Sequence, residues 1–145
     1  MTNLEPSRPA TYIVSGGASR LGAAFVRRIS DGGNNVIIGD LDEAAGTEIA
    51  DELHESVVFC RCDVRRDEDL ADLVQCASDV FGGLDGIVNN AVSYLDNGIT
   101  SSRADWHAAF DVTLFGGAVL LAEALPFLTE SPSAAVVNVA SIAAK

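Results

Sequence analysis

At 145 residues and 48% hydrophobic composition, the chain is long enough for one domain around one core. A formal charge of −12 and a pI near 4.3 argue against a nucleic-acid partner and against an anionic membrane surface, both of which would repel it. The longest apolar stretches, such as Gly116–Leu125, fall short of the roughly 20 residues a transmembrane helix needs. The polar opening Met1–Ala10, with Pro6 and Pro9, does not read as a signal peptide, so a cytoplasmic protein is expected.

Residues 1–10 read as a flexible arm. After them, short β-branched runs alternate with longer amphipathic stretches. Thr11–Ser15 is a predicted strand, and Arg20–Asp31 a helix with Leu21, Ala24, Phe25, Arg28 and Ile29 at helical spacing, stopped by Gly32-Gly33-Asn34. Asn35–Gly39 is a second strand, and Asp42–His54 a helix whose first acids suit its positive end. Ser56–Cys62 is a third strand, and the helix Asp67–Phe81 closes at Gly82-Gly83. Leu84–Asn89 is a fourth strand, and Ala91–Ser102 a loop. Arg103–Leu128 holds a long helix with Trp106, Phe110, Leu114 and Leu121 expected on its core face and a final bend at Pro126. Ala134–Ala140 is a fifth strand, apolar except for Asn138. Hydrophobic strands separated by helices imply a doubly wound α/β fold: a parallel sheet covered on both faces, of expected order 3-2-1-4-5, in a single domain.

There are three cysteines. Cys60 and Cys62, two apart on a strand, point to one face and suggest either a metal or redox pair or small buried hydrophobes. His54 and His107 show no ligand-like spacing, so no metal is expected and the packing role is favoured.

Tyr12-Ile13-Val14-Ser15-Gly16-Gly17-Ala18-Ser19-Arg20-Leu21-Gly22 runs from a strand through small residues into a helix. Such a loop lets backbone N–H groups and a helix's positive end approach a pyrophosphate. Asp40 ends the next strand, where a carboxylate can accept hydrogen bonds from both adenosine ribose hydroxyls and repel a 2′-phosphate. NAD is therefore expected ahead of NADP.

Ser15–Gly22 resembles the Thr-Gly-x-x-x-Gly-x-Gly loop of the short-chain dehydrogenase/reductase family. Cys62-Asp63-Val64, Val88-Asn89-Asn90-Ala91, Trp106–Gly116 and Val137-Asn138-Val139-Ala140-Ser141 resemble further family segments in the family's order. The resemblance covers Thr11 to the last residue and implies a Rossmann fold and an oxidoreductase moving hydride between a nicotinamide cofactor and a carbonyl or alcohol. It implies cofactor contacts from Gly16, Ser19, Arg20, Leu21 and Gly22 in the loop, and from Asp40 and Leu41 after the second strand. Asp63 and Val64 would meet the adenine, and Asn89, Asn90 and Ala91 would border the cofactor. Catalytic roles fall on Ser141, against the substrate oxygen, and on Thr113.

Several positions depart from the family pattern. Arg20 replaces a loop glycine, a variant resembling pteridine-reductase-like members; its guanidinium could pair with a cofactor phosphate or simply sit in solvent. Val92 stands where the family has a glycine, and Thr113 where it has an asparagine. The family's Tyr-x-x-x-Lys pair occurs nowhere in the chain, whose sole lysine is Lys145. The expectation is therefore a catalytically incomplete part of a family fold, with a small-molecule substrate and a homo-oligomeric full-length form. The alternative is a nucleotide-binding module without turnover.

Overall fold

The structure, a computed structural model, describes residues 8–94 and 97–141. Five apolar runs form one parallel sheet: β1 (Thr11–Ser15), β2 (Asn35–Asp40), β3 (Val57–Arg61), β4 (Gly86–Asn89) and β5 (Ala135–Asn138), in the order β3-β2-β1-β4-β5. This is the expected order. Ser15 is level with Gly39 on β2 and with Asn89 on β4, and Asn89 with Asn138 on β5, so the carboxyl ends of the strands share one edge.

The strands are connected by α1 (Arg20–Asp31), α2 (Glu43–Leu53), α3 (Asp67–Phe81), α4 (Arg103–Phe110) and α5 (Gly116–Glu130). Side chains alternate across the sheet. Ile13, Ile37 and Ile87 face one core with Leu70, Leu73 and Leu120 of α3 and α5. Val14, Val36, Ile38 and Val88 face the other with Val26 of α1 and Ile49 of α2. Burial on both faces is what the unbroken apolar strands required.

The helix ends follow local chemistry. The Asp42 carboxylate accepts the Ala45 N–H at 3.0 Å and caps α2. Gly82, at φ 78°, ends α3 with its N–H on the Ser78 carbonyl. Ser102 and Asp105 form a reciprocal capping box at the start of α4.

The long helix departs from expectation. Residues Asp111–Phe115 form a π turn between α4 and α5, and the helical run as a whole extends over Arg103–Glu130. That run exceeds the apolar stretch read from the sequence, and its length and hydropathy would suffice to cross a membrane. Its buried stripe is Leu120, Ala124 and Leu128, against the α3 side of the core. Trp106, Phe110 and Leu114, expected inside, are 38%, 46% and 56% exposed; Leu121 alone of that set packs partly against the core. The π turn changes the helical phase, so a face extrapolated through it points the wrong way. Pro126 lies within α5, which continues to Glu130.

The strand edge opposite the carboxyl ends is tied by Asp85, a buried acid between α3 and β4. It accepts from the Thr11 N–H at 2.8 Å, from the Arg8 guanidinium at 2.7 Å and from the Ser131 hydroxyl at 2.7 Å. Burial pushes this carboxyl up, but its three donors together hold it below the usual carboxylate range. Arg8 thus belongs to the fold, whereas residues 1–7 of the expected arm lie outside the described residues.

Candidate active site

At the carboxyl edge the chain leaves β1 at Ser15 and reaches α1 through Gly16-Gly17-Ala18-Ser19. Gly16 has φ +65°, and a Cβ there would stand 2.9 Å from the Ala91 Cα. A Cβ at Gly22 would strike the Gly16 carbonyl oxygen. These two positions need glycine because backbone lies against backbone. The N-cap Ser19 makes no side-chain cap bond, which leaves first-turn N–H groups of α1 available to an anion. Arg20 is exposed and holds φ 47°, a left-handed conformation that costs energy in any residue with a Cβ. Leu21 beside it is exposed.

Asp40 joins the end of β2 to this loop. Its Oδ2 accepts the Ala18 N–H at 3.0 Å and its Oδ1 accepts the Asp42 N–H at 3.0 Å. The Gly16 N–H donates to the Gly39 carbonyl at 2.7 Å, a second tie between the same ends. Leu41, next in the chain, is exposed.

From the other side, the end of β4 clasps the loop. The Asn90 Nδ2 donates to the carbonyls of Ser15 and Gly16 at 3.2 and 2.9 Å. The buried Ser15 hydroxyl accepts the N–H groups of Asn90 and Ala91 at 3.1 and 3.2 Å. Asn89 points toward β5 instead: its Nδ2 donates to Asn138 Oδ1 at 2.8 Å. Its own Oδ1 is buried with no hydrogen-bond partner among the described residues.

Asp63 is engaged by its neighbour. The Arg65 guanidinium forks onto both carboxylate oxygens at 2.8 and 2.6 Å and, as the largest influence, holds the carboxyl below its usual range. Val64 packs on Gly116 of α5, where a Cβ would lie 2.6 Å from the Val64 carbonyl oxygen. Thr113 sits in the π turn, and its Oγ1 accepts the Ser93 N–H of the segment after β4 at 3.4 Å. Ser141 lies three residues beyond β5 and is exposed.

Direct hydrogen bonds therefore unite Gly16, Asp40, Asn90 and Ala91 with the glycine loop. Asp63 and Val64 are held by Arg65 and α5 instead. Four participants have no site role assigned from the sequence: Ser15, Ala18, Arg65 and Asn138. Asn138 alone carried a signal, as the one polar residue of an apolar strand.

This architecture is similar to that of known proteins. A crystal structure from Brucella melitensis, a short-chain dehydrogenase/reductase described as a glucose/ribitol dehydrogenase, superposes with a TM-score of 0.86 at 28% identity, over 92% of this chain and 57% of that one. A 3-ketoacyl-(acyl-carrier-protein) reductase from the same organism, complexed with NADH, gives a TM-score of 0.79 at 23% identity, over 85% of this chain and 52% of that one. An uncharacterized oxidoreductase of Staphylococcus aureus (strain MW2) is 30% identical over 132 residues, 90% of this chain and 57% of that protein. The chain thus spans little more than half the length of these relatives. The family model for short chain dehydrogenases matches residues 10–145, and the chain belongs to that family.

Proposed function

We propose that this chain is the nucleotide-binding part of an oxidoreductase that moves hydride between a nicotinamide cofactor and a carbonyl or alcohol. One observation carries the reading: the carboxyl ends of β1, β2 and β4 are stitched around a glycine loop whose packing leaves no room for a Cβ at Gly16 or Gly22. A cradle of that kind, at an uncapped helix N-terminus, fits a dinucleotide pyrophosphate.

Gly16, Ser19, Leu21 and Gly22 would hold the phosphates, with Arg20 as an added cation. Asp40 and Leu41 would border the adenosine ribose, Asp63 and Val64 the adenine, and Asn89, Asn90 and Ala91 the nicotinamide side. The bound cofactor would supply or accept the hydride. Ser141 would hydrogen-bond the substrate oxygen, and Thr113 would fix the segment after β4 beside it. Asp40, a carboxylate where a 2′-phosphate would come, supports NAD over NADP.

A small-molecule substrate and self-association belong to the same reading. The exposed pair Trp106 and Phe110, with ring centroids 5.9 Å apart, supports association through the long helix. A second reading, nucleotide binding without turnover, is favoured by Val92 and Thr113, which stand where the family pattern has a glycine and an asparagine.

Equilibrium titration with NAD and with NADH tests the proposal. Saturable binding lost in Gly22→Val, with the far-UV spectrum unchanged, is expected. Equal binding by a folded Gly22→Val variant would refute it.

A further inference from the structure

Cys60 and Cys76 lie sixteen positions apart in sequence, on β3 and α3, and their Sγ atoms meet at 2.6 Å. The spacing of Cys60 and Cys62 suggests a shared face with a packing role favoured, and Cys62 is indeed buried in the core against which Cys60 and Cys76 pack. All three residues are free thiols. Cys60 and Cys76 are both partly exposed, whereas Cys62 is buried. Among the described residues β3 is an edge strand of the sheet. The two sulfurs at 2.6 Å stand only a little beyond the roughly 2.05 Å of a disulfide bond, so closure needs a small shift of side chains already facing each other.

We propose that Cys60 and Cys76 are an oxidisable pair that forms an intramolecular disulfide between β3 and α3. The co-reactant is hydrogen peroxide. One thiolate attacks a peroxide oxygen and breaks the O–O bond, giving a sulfenic acid and hydroxide. The second thiolate attacks that sulfur, forms the S–S bond and expels a second hydroxide. The two protons lost by the thiols convert both hydroxides to water, and the two electrons lost by the sulfurs reduce the peroxide.

The cross-link closes a ring over residues 61–75, which contain the Asp63–Val64 turn and the first half of α3. Rearranging that segment would then require either breaking the bond or unfolding around it. Cys62 is the internal control. Burial first, and then Asp69, Asp63 and Asp40, push its thiol up to about 12. Burial and the Cys76 contact raise the Cys60 thiol as well, so closure is slow and excess peroxide is needed. The proposal does not depend on the cofactor reading.

Tryptic mapping decides it, because Arg61, Arg65 and Arg66 place the three cysteines on three different peptides: 29–61, 62–65 and 67–103. The intact chain, treated with excess hydrogen peroxide, alkylated and digested without reductant, should show peptide 29–61 linked to 67–103. Its mass should be lower by two hydrogens and restored by reductant, with Cys62 recovered alkylated. Cys62→Ser should keep the link, and both Cys60→Ser and Cys76→Ser should abolish it. The oxidised chain should also melt at a higher temperature than the reduced one. Complete recovery of alkylated Cys60 and Cys76 after treatment that oxidises a free dithiol peptide overturns the proposal, as does a link through Cys62. The wild-type map alone suffices if a variant fails to fold.

Discussion

The carboxylate of Asp40 reaches across from the end of β2 to accept the Ala18 N–H at 3.0 Å, so the residue expected to read the ribose also holds the glycine loop. Asp40→Ala should therefore weaken NAD binding by about 1–3 kcal/mol, the usual effect of leaving such partners unpaired. Part of that loss should be a loosened loop, seen as faster amide exchange at Ala18. Wild-type protein should bind NAD more tightly than NADP by calorimetric titration; a tighter NADP constant would turn attention to Arg20.

Arg20 trades backbone comfort for charge. Its φ of 47° is one that glycine adopts freely. Arg20→Gly should raise stability by about 1 kcal/mol in urea unfolding while lowering affinity for the cofactor's phosphates. A variant with unchanged cofactor affinity would assign the guanidinium to solvent.

Asp85 should impose an acid limit on stability. Its folded pKa is depressed, so the stabilisation is present above the unfolded value of about 3.9 and fades as pH falls through the lower folded value. Asp85→Asn should cost about 1–3 kcal/mol at pH 7 and flatten the acid side of a stability–pH curve. An unchanged acid limb would mean that other carboxylates set it.

Turnover should be absent from the 145-residue chain. Ser141 supplies neither a proton exchanger nor the lysine that tunes one in the family. Absorbance at the reduced-nicotinamide band should stay flat with simple alcohols or ketones, and any rate abolished by Ser141→Ala would show that the missing pair is dispensable.

For the 145-residue chain by itself, self-association should follow from β5, which among the described residues is an edge strand exposed along its whole length. Its apolar run carries neither charge nor proline, a template for pairing with another chain. Sedimentation at tens of micromolar should show species above monomer, and Val137→Lys should shift them toward monomer. If only substitutions at Trp106 or Phe110 do so, the helix face is the contact.

Strand order and both core faces could be read from the chain because alternation on a buried sheet leaves a strong mark, as in Ile13 and Val14 or Ile87 and Val88. The glycine loop and Asp40 were readable for a similar reason: each needs a rare residue type at one place. Ser15, Ala18 and Arg65 were not, because a buried hydroxyl, a backbone N–H and a surface arginine look ordinary until the fold brings their partners up. Arg8 was hidden in the same way, since only folding brings Asp85 to it. Periodicity failed at Trp106 and Phe110 because it assumes one unbroken helical phase.

The π turn at Asp111–Phe115 has the form of a single-residue insertion absorbed by a helix. Removing one residue there should heal the hydrogen-bond ladder into a continuous α-helix. It would also turn Trp106 and Phe110 by about 100° relative to Leu120 and Leu128. One codon in this stretch therefore works as a dial. It sets where the aromatic pair faces and how the Thr113 hydroxyl meets Ser93, while the rest of the sheet keeps its place.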